Sequence, residues 1–404
     1  MSKELTVIGA GPAGMTAALF AARAGVEVTL IDGNPAVGRK LLVSGAGRAN
    51  LTNAQLNPAR YAVKDHTWVE KVLAQFGHAE LRAFLESIGV LIYATEDGWC
   101  YPLSESAQTV VDSFDAALRE AGVRLLLDHK VVSIARNKHG FEVGFKTQER
   151  HTCNSLLVAA GGAAYPTLGS RGQLYPLLEN LGHSISAARP ALAPLTCDMT
   201  AWRALQGVRF DAAVRLYDGD ALIDETRGNL IFTAWGLNGP AVMDLSHQVS
   251  ARGGRKLRLE LDPLFRSEAA LRALLREKQD SSIPLAVLLG AVLPPKVPPW
   301  ALERLKLKAD LPMREVSEAL LAKLMALLTA LPFKVTGVRG FEYCQVSAGG
   351  VALEEVDELT MRSKLVPGLQ LAGEILDITG PCGGYNLQFA FSSGAIAGMN
   401  PQTC

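Results

Sequence analysis

Residues 9–14 read GAGPAG, and residue 32 is an aspartate. Glycines in the order G-x-G-x-x-G, with an acid some twenty residues on, suit the phosphates and ribose of a dinucleotide. Gly9 permits a tight turn, Gly11 leaves room for a pyrophosphate, and Gly14 lets helix and strand pack closely. Pro12 and Ala13 open a helix whose unpaired N–H groups and partial positive charge face the phosphates. Asp32 would accept hydrogen bonds from ribose hydroxyls, and its charge disfavours a 2′-phosphate, so NADP is not the expected occupant. These glycines could merely shape a turn, but the strand before them and the helix after them favour binding. The signature alone does not separate FAD from NAD, since both carry an ADP half.

A second stretch carries more polar chemistry. Residues 38–53 read GRKLLVSGAGRANLTN, where a further β-α-β unit would be usual. Arg39, Lys40 and Arg48 can face phosphates, and residues 45–47 let backbone lie against a flat ligand. A loop of this length inside a compact domain is functional or disordered; a solvated surface loop is the plainer alternative. Residues 371–398 place Glu374 directly after an apolar run, then a glycine-rich turn and a helix. That second helix N-terminus suits another anionic or electron-rich group, worth roughly 0.3–1 kcal/mol to a negative charge. A plain capped core helix is the alternative there.

The elements that must position these groups are legible from periodicity. Residues 5–9 and 26–32 read as buried strands around a helix at 12–24 capped by Gly25, a β-α-β unit of a parallel sheet. Helical spacing recurs over 68–89 and 105–121. Residues 123–128 predict a strand, 131–145 a hairpin turning at 137–140, and 155–162 a buried strand. Residues 191–262 alternate as short strands. Residues 266–330 are helical, with a break at the cluster of Pro294, Pro295, Pro298 and Pro299. Strand texture returns from about 341, with a strand at 369–374 and a last helix at about 385–398. The expected organisation is an α/β, Rossmann-like nucleotide domain over 1–190 and 346–404. It is interrupted by a β-rich part, 191–262 plus about 331–345, and a helical part, 263–330.

Composition excludes several classes. With 404 residues, 49% hydrophobic and 20% charged, the chain can bury a large core. Lys+Arg and Asp+Glu are both 40, without the basic excess of a nucleic-acid protein. The six cysteines, at 100, 153, 197, 344, 382 and 404, form no C-x-x-C pair, so neither a disulfide framework nor a redox dithiol is expected. The seven histidines lack i, i+3 or i+4 pairs, and no metal site is expected. No signal peptide or membrane-length apolar run is visible, so the expected location is the cytoplasm. A second G-x-G-x-x-G is missing, so NAD(P)H either binds transiently without such a domain or is not the electron donor. Tyr101 and Tyr385 are hydroxyls that could polarise a substrate.

Several blocks together resemble the BaiN/YhiN-like family of bacterial FAD-dependent oxidoreductases, the group that includes aminoacetone oxidase. They are GRKLLVSGAGRANLTN (38–53), AGEILDITGPCGGYNLQFAFSSG (372–394), TMRSKLVPGL (360–369), SAGGV (347–351), GGAAYPTLGSRG (161–172), YPLS (101–104) and FTAWGLNGPAVMDLS (232–246). The resemblance covers nearly the whole chain and implies a two-dinucleotide-reductase-like FAD domain. It further implies that Gly9, Gly11, Gly14 and Asp32 hold the ADP half. Arg39, Lys40, Ala46, Arg48 and Asn50 would run beside pyrophosphate and flavin. Val131 would meet the adenine through its backbone, with Gly161 in the same cofactor surface. Glu374 would meet the ribityl or pyrophosphate, and Gly384, Tyr385 and Asn386 the pyrimidine edge of the flavin. This chain departs from the family pattern at Ala46 (usually Gly), Ala49 (Cys), Ala160 (Thr) and Ala234 (His).

The expected function is a FAD-dependent oxidoreductase moving hydride through flavin N5, with a small amine or conjugated carbonyl as substrate. A flavin-dependent RNA-modifying enzyme, a non-catalytic FAD-binding protein and a plain NAD dehydrogenase are the alternatives. No catalytic acid or base can be named from residues alone. Arg48→Ala and Asn50→Ala should each weaken FAD retention or shift the flavin potential, read by FAD titration and by spectroelectrochemistry. Unchanged values in both variants would make 38–53 a solvated loop.

Overall fold

The structure is a computed structural model that describes residues 3–253 and 255–401; Met1, Ser2 and Cys404 lie outside it. The chain divides into two compact units, 1–190 with 341–404, and 191–340.

The first unit is built on a five-stranded parallel sheet. Its strands are β1 (Glu4–Ile8), β2 (Glu27–Ile31), β3 (Arg124–Leu126), β4 (Leu156–Val158) and β5 (Leu369–Leu371). The spatial order is β5-β4-β1-β2-β3, with Ile8 opposite both Ile31 and Val158. The strand order reverses between β1 and β4, and in such sheets ligands bind beyond the carboxyl ends of the strands at that point. Strands buried on both faces read as apolar runs, as TVI, VTLI and LLV do here.

Helix α1 (Pro12–Arg23) follows β1 and helix α2 (Tyr385–Met399) ends the domain. Their packing rests on small residues. A β-carbon on Gly394 would stand 2.3 Å from the Ala13 carbonyl oxygen, and one on Gly398 2.4 Å from that of Ala17. The paired positions advance together, so the helices run parallel with backbones almost in contact. Buried Ala17, Ala18 and Ala21 keep that face of α1 flat.

Four expected elements differ in the structure. Residues 68–89 form two helices, His66–Gln75 and His78–Ser87. The second restarts at Gly77, whose N–H donates to the Glu80 carboxylate at 2.9 Å. The strands expected over 155–162 and 369–374 are shorter, because the chain leaves the sheet at its carboxyl edge. There Gly161 takes φ +73° and residues 373–375 form a helical turn. Residues 38–53 are not plain loop. Residues 41–47 wind into tight turns, and Thr52–Asn53 pairs as a strand with Trp99 and Cys100.

The second unit holds a closed six-stranded barrel. In spatial order its strands are Leu195–Cys197, Gly236–Asn238, Ala221–Phe232, Arg209–Asp218, Leu257–Asp262 and Leu331–Val338. Closure removes exposed sheet edges. Helices Glu268–Glu277, Leu285–Leu289, Val297–Arg304 and Glu318–Thr329 share its apolar core, so strand-rich and helical parts fold around one interior. Trp202 anchors it, stacked on Trp300 at 4.7 Å and on Phe333 at 4.0 Å between ring centroids. Among the described residues no helix is long and apolar enough to cross a membrane.

Gly394→Val should lower the urea midpoint of the first unit, at a cost of about 1–3 kcal/mol or more, because the new side chain meets backbone rather than a movable side chain. An unchanged midpoint would show that the two helices can separate without loss.

Candidate functional site

Each parallel strand delivers one of the expected groups at its carboxyl end. Gly9–Gly14 follows β1, Asp32 follows β2, Val131 lies beyond β3, Gly161 follows β4 and Glu374 follows β5. These residues are far apart in sequence, and the sheet order alone brings them to one edge.

The turn after β1 is as tight as its glycines require. Gly9 has φ +105°, and a β-carbon there would stand 2.4 Å from the Ala159 carbonyl oxygen on β4's exit. A β-carbon on Gly14 would stand 1.8 Å from the Gly9 carbonyl oxygen, whereas nothing lies within 4 Å of one on Gly11. The first helical bond runs from Met15 N–H to the Gly11 carbonyl, which leaves the Ala13 and Gly14 N–H groups without helical partners. Strand and helix are thus packed against two glycines while the third leaves open space. This is the cradle a pyrophosphate needs.

Asp32 is fixed by its neighbours. Its Oδ2 accepts from Ala10 N–H at 2.7 Å, and its Oδ1 from Asn34 N–H and Nδ2, each at 2.8 Å. Asn34 in turn accepts from Arg39 at 2.9 Å. Arg39 therefore braces Asp32 through Asn34 instead of facing a phosphate. The adjoining backbone brings Val131 close, since His129 N–H donates to the Asp32 carbonyl at 2.9 Å.

Lys40 and Glu374, 334 residues apart, form an ion pair, both largely shielded from solvent. Glu374 Oε1 also accepts from Ser347 N–H at 2.9 Å and Oγ at 3.2 Å. Ser347 Oγ accepts from Ala163 N–H at 2.9 Å, which ties the segment after Gly161 into the same network. Ser347 was not foreseen as a site residue. Its signal was a hydroxyl within the wholly buried strand Val346–Val351, where a polar group must find a partner.

The turns over 41–47 hold Gly45 at φ +56°, and Ala46 and Ala49 both at φ +58°. Ala46 is exposed and Ala49 buried, so Ala49 points inward. Alanine in this region is strained by roughly 1–2 kcal/mol, which explains why glycine suits position 46. Arg48 is exposed and lies over the Tyr101 ring at 4.4 Å. Asn50 is buried, and its Oδ1 has no hydrogen-bond partner.

The start of α2 is locked to this stretch. Asn53 Nδ2 donates to the Gly383 carbonyl at 2.9 Å, and the Thr52 hydroxyl bonds Gln388. A β-carbon on Gly384, at φ +90°, would stand 2.2 Å from the Thr52 carbonyl oxygen. The side chains of Tyr385 and Asn386 are engaged within the protein. Tyr385 is buried, with its hydroxyl donating to the Gln55 carbonyl at 3.2 Å. The Asn386 amide clamps Gly380, accepting from its N–H and donating to its carbonyl, both at 2.8 Å. What remains for a ligand is backbone. The first helical bond runs from Gln388 N–H to Gly384, so the N–H groups of 385–387 lack helical partners.

The two helix N-termini are staggered. Ala13 lies beside Gly394, so α2 begins about eight residues, or roughly 12 Å of rise, before α1. One positive helix end suits a pyrophosphate and the other a distant electron-rich ring. The cradle at Gly11, the unpartnered Asn50 Oδ1 and the N–H groups at the start of α2 that lack helical partners fit FAD. When bound, FAD supplies hydride chemistry at its ring. Asp32 and the N–H groups of 13–14 would hold its ADP half, and Asn50 and the N–H groups of 385–387 its ring.

No disulfide links the described cysteines. Burial pushes the Cys153 thiol up to about 11 and Cys197 up to about 12, so both stay protonated at neutral pH.

Fold and site together define a Rossmann-fold FAD-dependent oxidoreductase. The chain belongs to the family described as HI0933-like protein Rossmann domain, whose profile matches residues 3–400. This is the BaiN/YhiN-like group that the sequence blocks resemble. It is 32% identical over 403 residues to the 3-dehydro-bile acid delta(4,6)-reductase of Clostridium scindens, covering 98% of each chain. It is 30% identical over 398 residues to the ribosomal RNA dihydrouridine synthase of Escherichia coli, covering 96% of each. Among solved structures, 3-ketosteroid delta1-dehydrogenase from Sterolibacterium denitrificans shares the fold. Its TM-score is 0.54 at 13% identity, covering 98% of this chain and 99% of that one.

Glu374→Ala should lower both FAD retention and the unfolding midpoint, by about 1–3 kcal/mol, by leaving Lys40 and Ser347 unpaired. Glu374→Gln, which can still accept from Ser347, should lose less. Equal midpoints for wild type and Glu374→Ala in urea titrations would remove the network's structural role.

Proposed function

We propose that this protein is a FAD-dependent reductase of a carbon–carbon double bond conjugated to a carbonyl. The observation that carries the reading is the second helix N-terminus, offset along α2 from the pyrophosphate cradle and presenting the N–H groups of 385–387. Partial positive charge there favours a ring that carries negative charge when reduced, as a hydride donor does. The curated relatives support the substrate class. One is named for reducing delta(4,6) bonds of a 3-dehydro bile acid, the other for making dihydrouridine. Both names describe adding two hydrogens across a double bond in conjugation with a carbonyl.

In this reading the residues have separate tasks. The 9–14 turn and Asp32 bind the nucleotide half. The Lys40–Glu374–Ser347 network holds the middle of the site in one geometry. Asn50 and the start of α2 orient the ring. We take a small molecule as the substrate, NAD(P)H as the transient electron donor and the cytoplasm as the location. The balance of 40 basic and 40 acidic residues supports a small molecule. The dihydrouridine synthase relatives favour a second reading with the same chemistry, in which the double bond belongs to a uridine of RNA.

The test is anaerobic. Holoprotein reduced by dithionite is mixed with cyclohex-2-enone, a 3-oxo-4-ene steroid, uridine or a uridine-containing RNA, and flavin absorbance is followed. Reoxidation by the enones or steroid supports the small-molecule reading, and reoxidation by RNA alone the second. A reduced flavin that none of them reoxidises would falsify the reductase assignment. Bleaching of the oxidised flavin by NADH or NADPH tests the donor separately.

A further inference from the structure

Four tyrosines lie around the residue 38–53 stretch and the start of α2, and three have committed hydroxyls. Tyr385 donates to the Gln55 carbonyl at 3.2 Å, Tyr61 to the Tyr385 carbonyl at 2.8 Å, and Tyr93 to the Glu105 carboxylate at 2.5 Å. Tyr101 is only 3% exposed as a whole residue, and its hydroxyl, which is not sealed from solvent, makes no hydrogen bond among the described residues. A hydroxyl that reaches the surface with no protein partner is free to donate to a bound molecule.

It stands beside Asn50, next to the proposed ring end of the site. A β-carbon on Gly45 would stand 3.4 Å from Tyr101 Cε1, 2.8 Å from Asn50 N and 3.4 Å from Asn50 Cβ. Tyr101 and Asn50 therefore flank the same glycine, and the Asn50 Oδ1 is also without a partner. Two unpartnered polar groups on either side of one bare backbone position describe a ligand-facing surface. Of the three side chains here, arginine does not give up its proton and an amide has none to give at this pH. The phenol does. Burial pushes its ionisation up; Arg48 pulls it down, while Glu105 and Cys382 add to the rise. Arg48, over the ring face at 4.4 Å, is the positive charge that would balance a phenolate.

We propose that Tyr101 is the proton donor for the reduction, a role that rests on the reductase reading above. As hydride from reduced flavin forms the new C–H bond at the β-carbon, the π electron pair of the double bond takes the Tyr101 proton at the α-carbon. The O–H bond breaks, the flavin is oxidised, the substrate is reduced, and the phenolate beside Arg48 regains a proton from water. Arg48 acts as a positioning residue that holds the ring and offsets its charge.

Tyr101→Phe removes one oxygen that no protein group holds, so FAD content should match wild type, with Tyr93→Phe as control. Binding of cyclohexanone, which cannot be reduced this way, is read as a shift in the flavin spectrum and should also be retained. Reoxidation of the reduced flavin by the conjugated carbonyl should slow by about 10²–10⁴-fold in Tyr101→Phe. It should stay near wild type in Tyr93→Phe. Wild-type reoxidation should be slower in D₂O, and the product should carry one deuterium at the α-carbon. A Tyr101→Phe rate equal to wild type would overturn the donor role and leave the reductase reading intact. Loss of FAD or of cyclohexanone binding in that variant would make Tyr101 part of the binding surface and equally overturn it. A wild type that no conjugated carbonyl reoxidises would overturn the reductase reading and the donor role together.

Discussion

The near-contact of two helix backbones governs this molecule. Ala13 and Ala17 on α1 meet Gly394 and Gly398 on α2 with no room for a single further carbon. Because the contact is backbone on backbone, it sets the axial register of the helices as well as their distance. The register is what places the start of α2 beyond the phosphate cradle. The Thr52–Asn53 strand then locks onto that start through Gly383, Gly384 and Gln388. Shift α2 by one turn and the ring end of the site would move by roughly 5 Å, while the nucleotide end stayed in place.

The parallel sheet does the complementary work. It gathers Gly9, Asp32, Val131, Gly161 and Glu374 at one edge, though they come from both ends of the sequence. A chain that contributes one group per strand has little freedom to drift, because each group is fixed by the register of its own strand. Polar links then join the strands' exits to one another: Arg39 through Asn34 to Asp32, and Lys40 through Glu374 and Ser347 to Ala163. Some of the charges that read as phosphate ligands in sequence are thus used to hold other residues still.

The shape of the 9–14 turn was legible, because each of its glycines has a steric duty that sequence spacing encodes. The same holds for Gly384, whose left-handed turn suits no side chain. The form of residues 38–53 was not legible, since tight turns stabilised by distant partners leave no periodicity. Side-chain direction was the least legible layer. The family resemblance implies that Tyr385 and Asn386 meet the flavin, but the partners of their side chains, Gln55 and Gly380, are set by tertiary packing and turn geometry. Ser347 escaped notice for the opposite reason: a serine among small apolar residues looks like filler until the strand is seen to be wholly buried.

The second unit interrupts the first at Pro190 and returns the chain at Phe341. During synthesis this ordering has a cost. Strand β4 emerges long before its neighbour β5, and α1 waits some 360 residues for the glycine face that covers it. The barrel, continuous in sequence, can close while the half-made nucleotide unit still lacks its last strand and helix. The nascent chain must therefore carry an open sheet edge and an uncovered alanine face until translation is nearly complete.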